Sequence, residues 1–143
     1  MRRALSLAAA LGLAALAGRT GAAEPDVANT YRLVTTGSTP SVKVGGPGRL
    51  VVGFDPLAPG VHVDPKAPLR IRVETTPGLR AEKSELRRAD AVDPGAASPR
   101  FEVAVVGVKA GAQDAKLDFD FFVCSESFCA RQKRVVRIPV EVR

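Results

Sequence analysis

Between Lys116 and Val142 apolar and polar residues alternate one by one through two consecutive segments, a period that suits a half-buried strand and not a helix. In the first, Leu117, Phe119, Phe121 and Val123 alternate with Asp118, Asp120, Phe122 and Cys124. In the second, Val136, Ile138, Val140 and Val142 alternate with Val135, Arg137, Pro139 and Glu141. The two are expected to form a hairpin, each with one face turned inward. Pro139 lacks the N–H that a central strand donates, so at least part of the last strand belongs at a sheet edge or a bulge.

Upstream, short apolar or alternating runs are separated by Gly and Pro, and none has helical periodicity. The expected strands are Tyr31 to Thr36, Arg49 to Phe54, Leu69 to Glu74, Phe101 to Val108, Lys116 to Cys124 and Arg134 to Val142. Weaker ones fall near Ser41 to Val44 and Leu79 to Lys83. Pro56 to Pro68 and Ala89 to Pro99 read as loops. Many short strands with turn signals between them give an all-β chain arranged as a sandwich.

The first residues have the three-part layout of a secretory signal. Arg2 and Arg3 precede an apolar stretch from Ala4 to Ala17, and small residues Gly21-Ala22-Ala23 precede Glu24-Pro25. That stretch is shorter than the roughly 20 apolar residues a bilayer span needs. The first cysteine is Cys124, so no lipid-anchor cysteine follows it. The expected organisation is a signal over 1–23, cleaved near Ala23, and an N-terminal segment over 24–40, partly disordered and then forming the first strand. One domain covers 41–143. The mature chain is expected in the periplasm or secreted, with no direct membrane insertion.

Removing 23 from 143 residues leaves 120, the size of a single core. Three of the 21 basic residues leave with the signal and no acid does, so 18 basic residues face 15 acidic ones. So mild an excess, with few aromatics and no Trp for base stacking, gives no nucleic-acid partner.

Cys124 and Cys129 are the only cysteines, separated by Ser125-Glu126-Ser127-Phe128 where one strand ends and the chain turns toward the next. Export makes a disulfide the expectation. Closing so short a loop contributes about 2 kcal/mol on the chain-entropy model, a modest staple for a domain. Two readings follow. The pair exchanges with a partner's thiols through a mixed disulfide, helped by Arg131, Lys133 and Arg134 and opposed by Glu126. Alternatively it pins the hairpin of a non-catalytic periplasmic binding or scaffold module. Phe128 either shields the sulfurs or anchors the turn.

Pro59 to Leu69 (PGVHVDPKAPL) and the strand end Phe121 to Cys129 (FFVCSESFC), in that order and spacing, resemble the N-terminal periplasmic domain of DsbD-type thiol:disulfide interchange proteins. The likeness runs over roughly residues 40 to 142 and suggests a free-standing copy. It implies an immunoglobulin-like antiparallel β-sandwich whose catalytic residues are Cys124 and Cys129. It also implies a periplasmic or membrane redox protein as thiol partner; no cofactor is expected. Family members often carry prolines soon after the second cysteine, where Ala130-Arg131-Gln132 stands here.

Other chemistry has less support. His62 is the only histidine and lies in a Pro/Gly-rich loop. With Cys124 and Cys129 it could supply three zinc ligands, but the usual spacing and a fourth ligand are missing, and no metal is expected. Asp118 and Asp120 read as acids on a wet strand face, and Lys83 to Arg88 as exposed mixed charge. No Gly-rich phosphate loop or nucleophile elbow occurs.

Overall fold

The two alternating segments that end the chain build the centre of the fold. In the structure, a computed structural model that describes residues 26–143, β9 (Gly111–Cys124) and β10 (Cys129–Val142) pair antiparallel along their full length, from Cys124 opposite Cys129 to Gly111 opposite Val142. β5 (Arg70–Thr75) joins the other edge of β9, and β7 (Glu85–Arg87) pairs with β5. β4 (His62–Val63) lies against the last two residues of β9, and β2 (Ser41–Val42) runs parallel to the end of β10. A second sheet has the order β1-β3-β8-β6, from β1 (Tyr31–Val34), β3 (Pro47–Pro56), β6 (Leu79–Ala81) and β8 (Arg100–Gly107), all antiparallel.

The two sheets pack face to face as an immunoglobulin-like antiparallel β-sandwich. Alternation decides which residues meet between them. Leu50, Val52 and Phe54 of β3 and Phe101, Val103 and Val105 of β8 bury themselves against Ile71 and Val73 of β5, and against Ala115, Leu117, Phe119, Phe121 and Val123 of β9. Removing each of the larger side chains from water contributes about 1.5–3 kcal/mol. Tyr31 joins them at one end, its ring stacked on Phe54 and edge-on to Phe121.

Pro139 has a strand on one side only, because β2 reaches no further than Glu141 and Val142. This is the edge position its missing N–H requires. Several elements depart from the sequence reading. β9 begins at Gly111 and β10 at Cys129, both five residues earlier than expected, since their first turns are too polar to show the alternation. Mixed-charge Lys83 to Arg88 contains β7, where Leu86 is buried while Glu85 and Arg87 are exposed. Pro56 to Pro68 is not all loop, because β4 interrupts it. In Ala89 to Pro99 the Arg88 guanidinium donates to Pro94 O at 2.7 Å and Ala96 O at 2.8 Å, which fixes the loop's course. Val27–Asn29 form a 3-10 turn with Val27 buried, where disorder is expected over Glu24 to Asn29. One apolar side chain reaching the core suffices to dock that segment. The expected signal over 1–23 lies outside the described residues. No described helix is long and apolar enough to cross a membrane.

Candidate functional site

Strand parity sets where the cysteines point. Odd-numbered residues of β9 face the core, so Cys124 shares the outer face of its sheet with Lys116, Asp118, Asp120 and Phe122. Cys129 lies directly opposite it on β10, beside Arg131, Lys133 and Val135. Their sulfurs are bonded to each other, with Cα atoms 4.0 Å apart. Ser125 N donates to Phe128 O at 2.8 Å and closes the turn. The cysteines therefore occupy a non-hydrogen-bonded pair, the cross-strand position where side chains come closest. Phe128 has the opposite parity and packs against the core, so it anchors the turn.

The bridge thus joins neighbouring strands of one sheet, outside the core. Two long strands already paired along their whole length gain little from it, about 2 kcal/mol by loop entropy. Cys124 is 7% exposed, held between β4 and β10, whereas Cys129 is exposed because no strand lies beyond β10 at that level.

Sequence reasoning missed Asp64. β4 sets His62 opposite Cys124, and the chain continues so that Asp64 N donates to Phe122 O at 3.0 Å. Its carboxylate oxygen Oδ2 then lies 3.9 Å from Cys124 Sγ and 4.0 Å from Cys129 Sγ. Its other oxygen accepts Lys66 N at 2.8 Å, a turn typical of an aspartate that fixes the side chain. The block Pro59 to Leu69 and the cysteine hairpin, far apart in the chain, touch here through β4 and the end of β9. His62 faces the same way, but its Nδ1 is occupied by Gly60 O at 2.9 Å and its ring stays outside the cluster of Asp64, Cys124 and Cys129.

Away from the sulfurs the outer face is a ladder of opposite charges. Asp120 lies opposite Arg70 on one side and Lys133 on the other, and Asp118 lies opposite Arg72. Arg131 grips Asp120 with two bonds, 2.8 and 2.5 Å, and holds its carboxyl below the usual carboxylate range. Lys116 reaches Asp118 at 3.3 Å. Both aspartates are thus committed to neighbouring cations, which leaves no paired carboxylates for catalysis. Arg70, Arg72 and Lys133 have no ion-pair partner within 4.0 Å among the described residues, so this face is basic on balance.

No family model and no curated protein matches the chain. Similar solved structures include domains 4 and 5 of the S-layer protein SbsC, at 14% identity and TM-score 0.44 over 78% of this chain. The chain spans 50% of that fragment's length. A cohesin module from a Clostridium perfringens family 33 glycoside hydrolase is similar at 10% identity and TM-score 0.43, covering 79% of this chain and 95% of that one. AggA, the major subunit of aggregative adherence fimbriae from Escherichia coli, is similar at 12% identity and TM-score 0.36, over 79% and 95%. Likeness at this level says nothing of activity.

Proposed function

We propose that this chain is an exported thiol:disulfide interchange domain that passes reducing equivalents between proteins through Cys124 and Cys129. The observation that carries the reading is the bridge's position: on the outer face of the sandwich, with Cys129 exposed and one carboxylate beside both sulfurs. The likeness of its two flanking segments to DsbD-type domains supports the same reading, as does the signal-like N-terminus for an extracytoplasmic location.

In the exchange, a partner thiolate attacks Cys129 Sγ and the Sγ–Sγ bond breaks. Cys124 leaves with the electron pair and takes up a proton. The partner's second thiol then attacks the mixed disulfide, so the partner dithiol is oxidised to a disulfide and the Cys124/Cys129 pair is reduced. The reverse sequence passes the two electrons to an oxidised acceptor. Asp64 Oδ2 is the carboxylate within reach of both S–H protons of the reduced pair. The partner is a periplasmic or membrane redox protein, and the basic ladder beside the sulfurs favours one with an acidic rim.

The test is the reduction potential of the pair, measured by equilibrating the mature protein with glutathione or dithiothreitol buffers and trapping thiols. A value above about −250 mV places the pair among exchangeable disulfides and supports a redox carrier. A value below about −300 mV marks a structural bridge and turns the assignment to a non-catalytic binding module.

A further inference from the structure

Reduction would leave two sulfurs and one carboxylate oxygen converging on a single point of the outer sheet, where the sequence leads one to expect no metal. Among the described residues, Asp64, Cys124 and Cys129 present ligand atoms that all lie within 4.8 Å of one another. We propose that the reduced protein binds one thiophilic divalent cation of the zinc type through Cys124 Sγ, Cys129 Sγ and Asp64 Oδ2, with water in the fourth position. This rests on the proposed exchange reading only in requiring a reducible pair.

Tetrahedral geometry decides whether the residues fit. With metal–sulfur bonds of about 2.3 Å and metal–oxygen bonds of about 2.0 Å, ligand atoms stand roughly 3.5 Å apart for sulfur to oxygen and roughly 3.8 Å for sulfur to sulfur. The carboxylate oxygen is already 3.9 and 4.0 Å from the sulfurs and nearly equidistant from them. It needs to move by only about half an ångström. The sulfurs, once freed, must separate by roughly 2 Å. Rotation of the exposed Cys129 side chain supplies that without moving either strand, because the paired backbones of β9 and β10 stay as they are.

The donor set selects the ion. Two thiolates and one carboxylate suit zinc and its spectroscopic stand-in cobalt, and disfavour calcium and magnesium, which take oxygen ligands. A metal held only by the dithiol form also opposes oxidation, so the cation would hold the pair out of the exchange cycle until it is removed. The oxidised protein, with its sulfurs bonded to each other, would bind no such ion.

Cobalt titration of the fully reduced, reductant-free protein under argon tests this. One equivalent is expected, with thiolate-to-cobalt charge-transfer absorption and tetrahedral d–d bands, displaced by zinc. Asp64→Asn should weaken zinc binding roughly tenfold or more, read by competition with a chromophoric chelator. That variant keeps the oxygen that accepts Lys66 N, so the local turn survives. Cys129→Ser should abolish the charge-transfer bands. Absence of those bands from the wild-type protein, or zinc affinity in Asp64→Asn equal to wild type, overturns the three-ligand site. Because the pair is reduced chemically beforehand, a potential below about −300 mV would sink exchange while leaving this titration informative.

Discussion

Asp64 Oδ2 stands 3.9 Å from Cys124 Sγ and 4.0 Å from Cys129 Sγ, although Asp64 precedes Cys124 by 60 residues in the chain. The contact exists because two residues of β4 pair with the last two of β9 and set the following turn over the hairpin end. A fixed negative charge there disfavours the thiolate, which is the attacking species in exchange.

Replacing Asp64 by Asn removes the charge and keeps the shape. A negative charge about 4 Å from both sulfurs opposes their ionisation by Coulomb repulsion, and removing it favours the thiolate. The alkylation rate of the reduced pair by iodoacetamide should therefore reach half its plateau at a lower pH in Asp64→Asn than in wild type. An unmoved pH profile would show that the carboxylate does not act on the sulfurs.

Tyr31 offers a spectroscopic probe of the core, because it is the only tyrosine and the chain has no Trp. Burial raises its ionisation above the ordinary value of 10.0, and Arg134, whose guanidinium lies 5.1 Å from the ring centre, partly pulls it back. The neutral ring is the form the fold favours. Its contribution to stability is present below the pH where the unfolded side chain ionises and is lost as pH rises through the folded value. Tyrosinate absorbance should rise at higher pH in the folded protein than in denaturant, and higher still in Arg134→Ala. Coincident folded and denatured curves would contradict the packing of Tyr31 against Phe54 and Phe121.

What the sequence made legible followed from period-two alternation. Leu117 to Val123 and Val136 to Val142 declared the central hairpin, and Leu69 to Val73 its neighbour, because each buries one face and wets the other. β7 escaped because a three-residue strand with one buried side chain, Leu86, has no period to read. The cysteine pair was visible as a pair at a strand end. Asp64 was not, since its role depends on a two-residue strand inside a Pro-rich stretch, and no local pattern encodes which strand such a segment will join.

Gly107 tests how the far end of the sandwich closes. A Cβ there would come within 2.5 Å of Lys43 O, 2.9 Å of Val142 and 3.0 Å of Val42, where the end of β8 meets β2 and the end of β10. Since the closest atom is backbone, it cannot step aside as a flexible side chain would. Gly107→Ala should lower unfolding stability by about 1–3 kcal/mol in urea. Gly95→Ala, whose Cβ would approach nothing closer than 3.6 Å, should stay within about 0.5 kcal/mol of wild type. Equal stability of the two variants would mean that β2 does not pack on Gly107.

The two sulfurs should differ in reactivity for a reason written in the sheet. Cys124 sits on the inner of the two hairpin strands, with β4 on one side and β10 on the other, and is 7% exposed. Cys129 sits on β10, whose outer edge is covered by β2 only at Glu141 and Val142, so an incoming thiolate meets Cys129 first. Single variants separate the two in the absence of the bridge. Cys124→Ser, which retains Cys129, should form a mixed disulfide with oxidised glutathione roughly tenfold faster than Cys129→Ser, which retains Cys124, when both are compared at the same thiolate fraction. The order follows from access alone, so correcting for ionisation is what isolates it. If the retained Cys124 reacts as fast or faster, partner attack at Cys129 is excluded and the entry point of electrons moves to the strand interior.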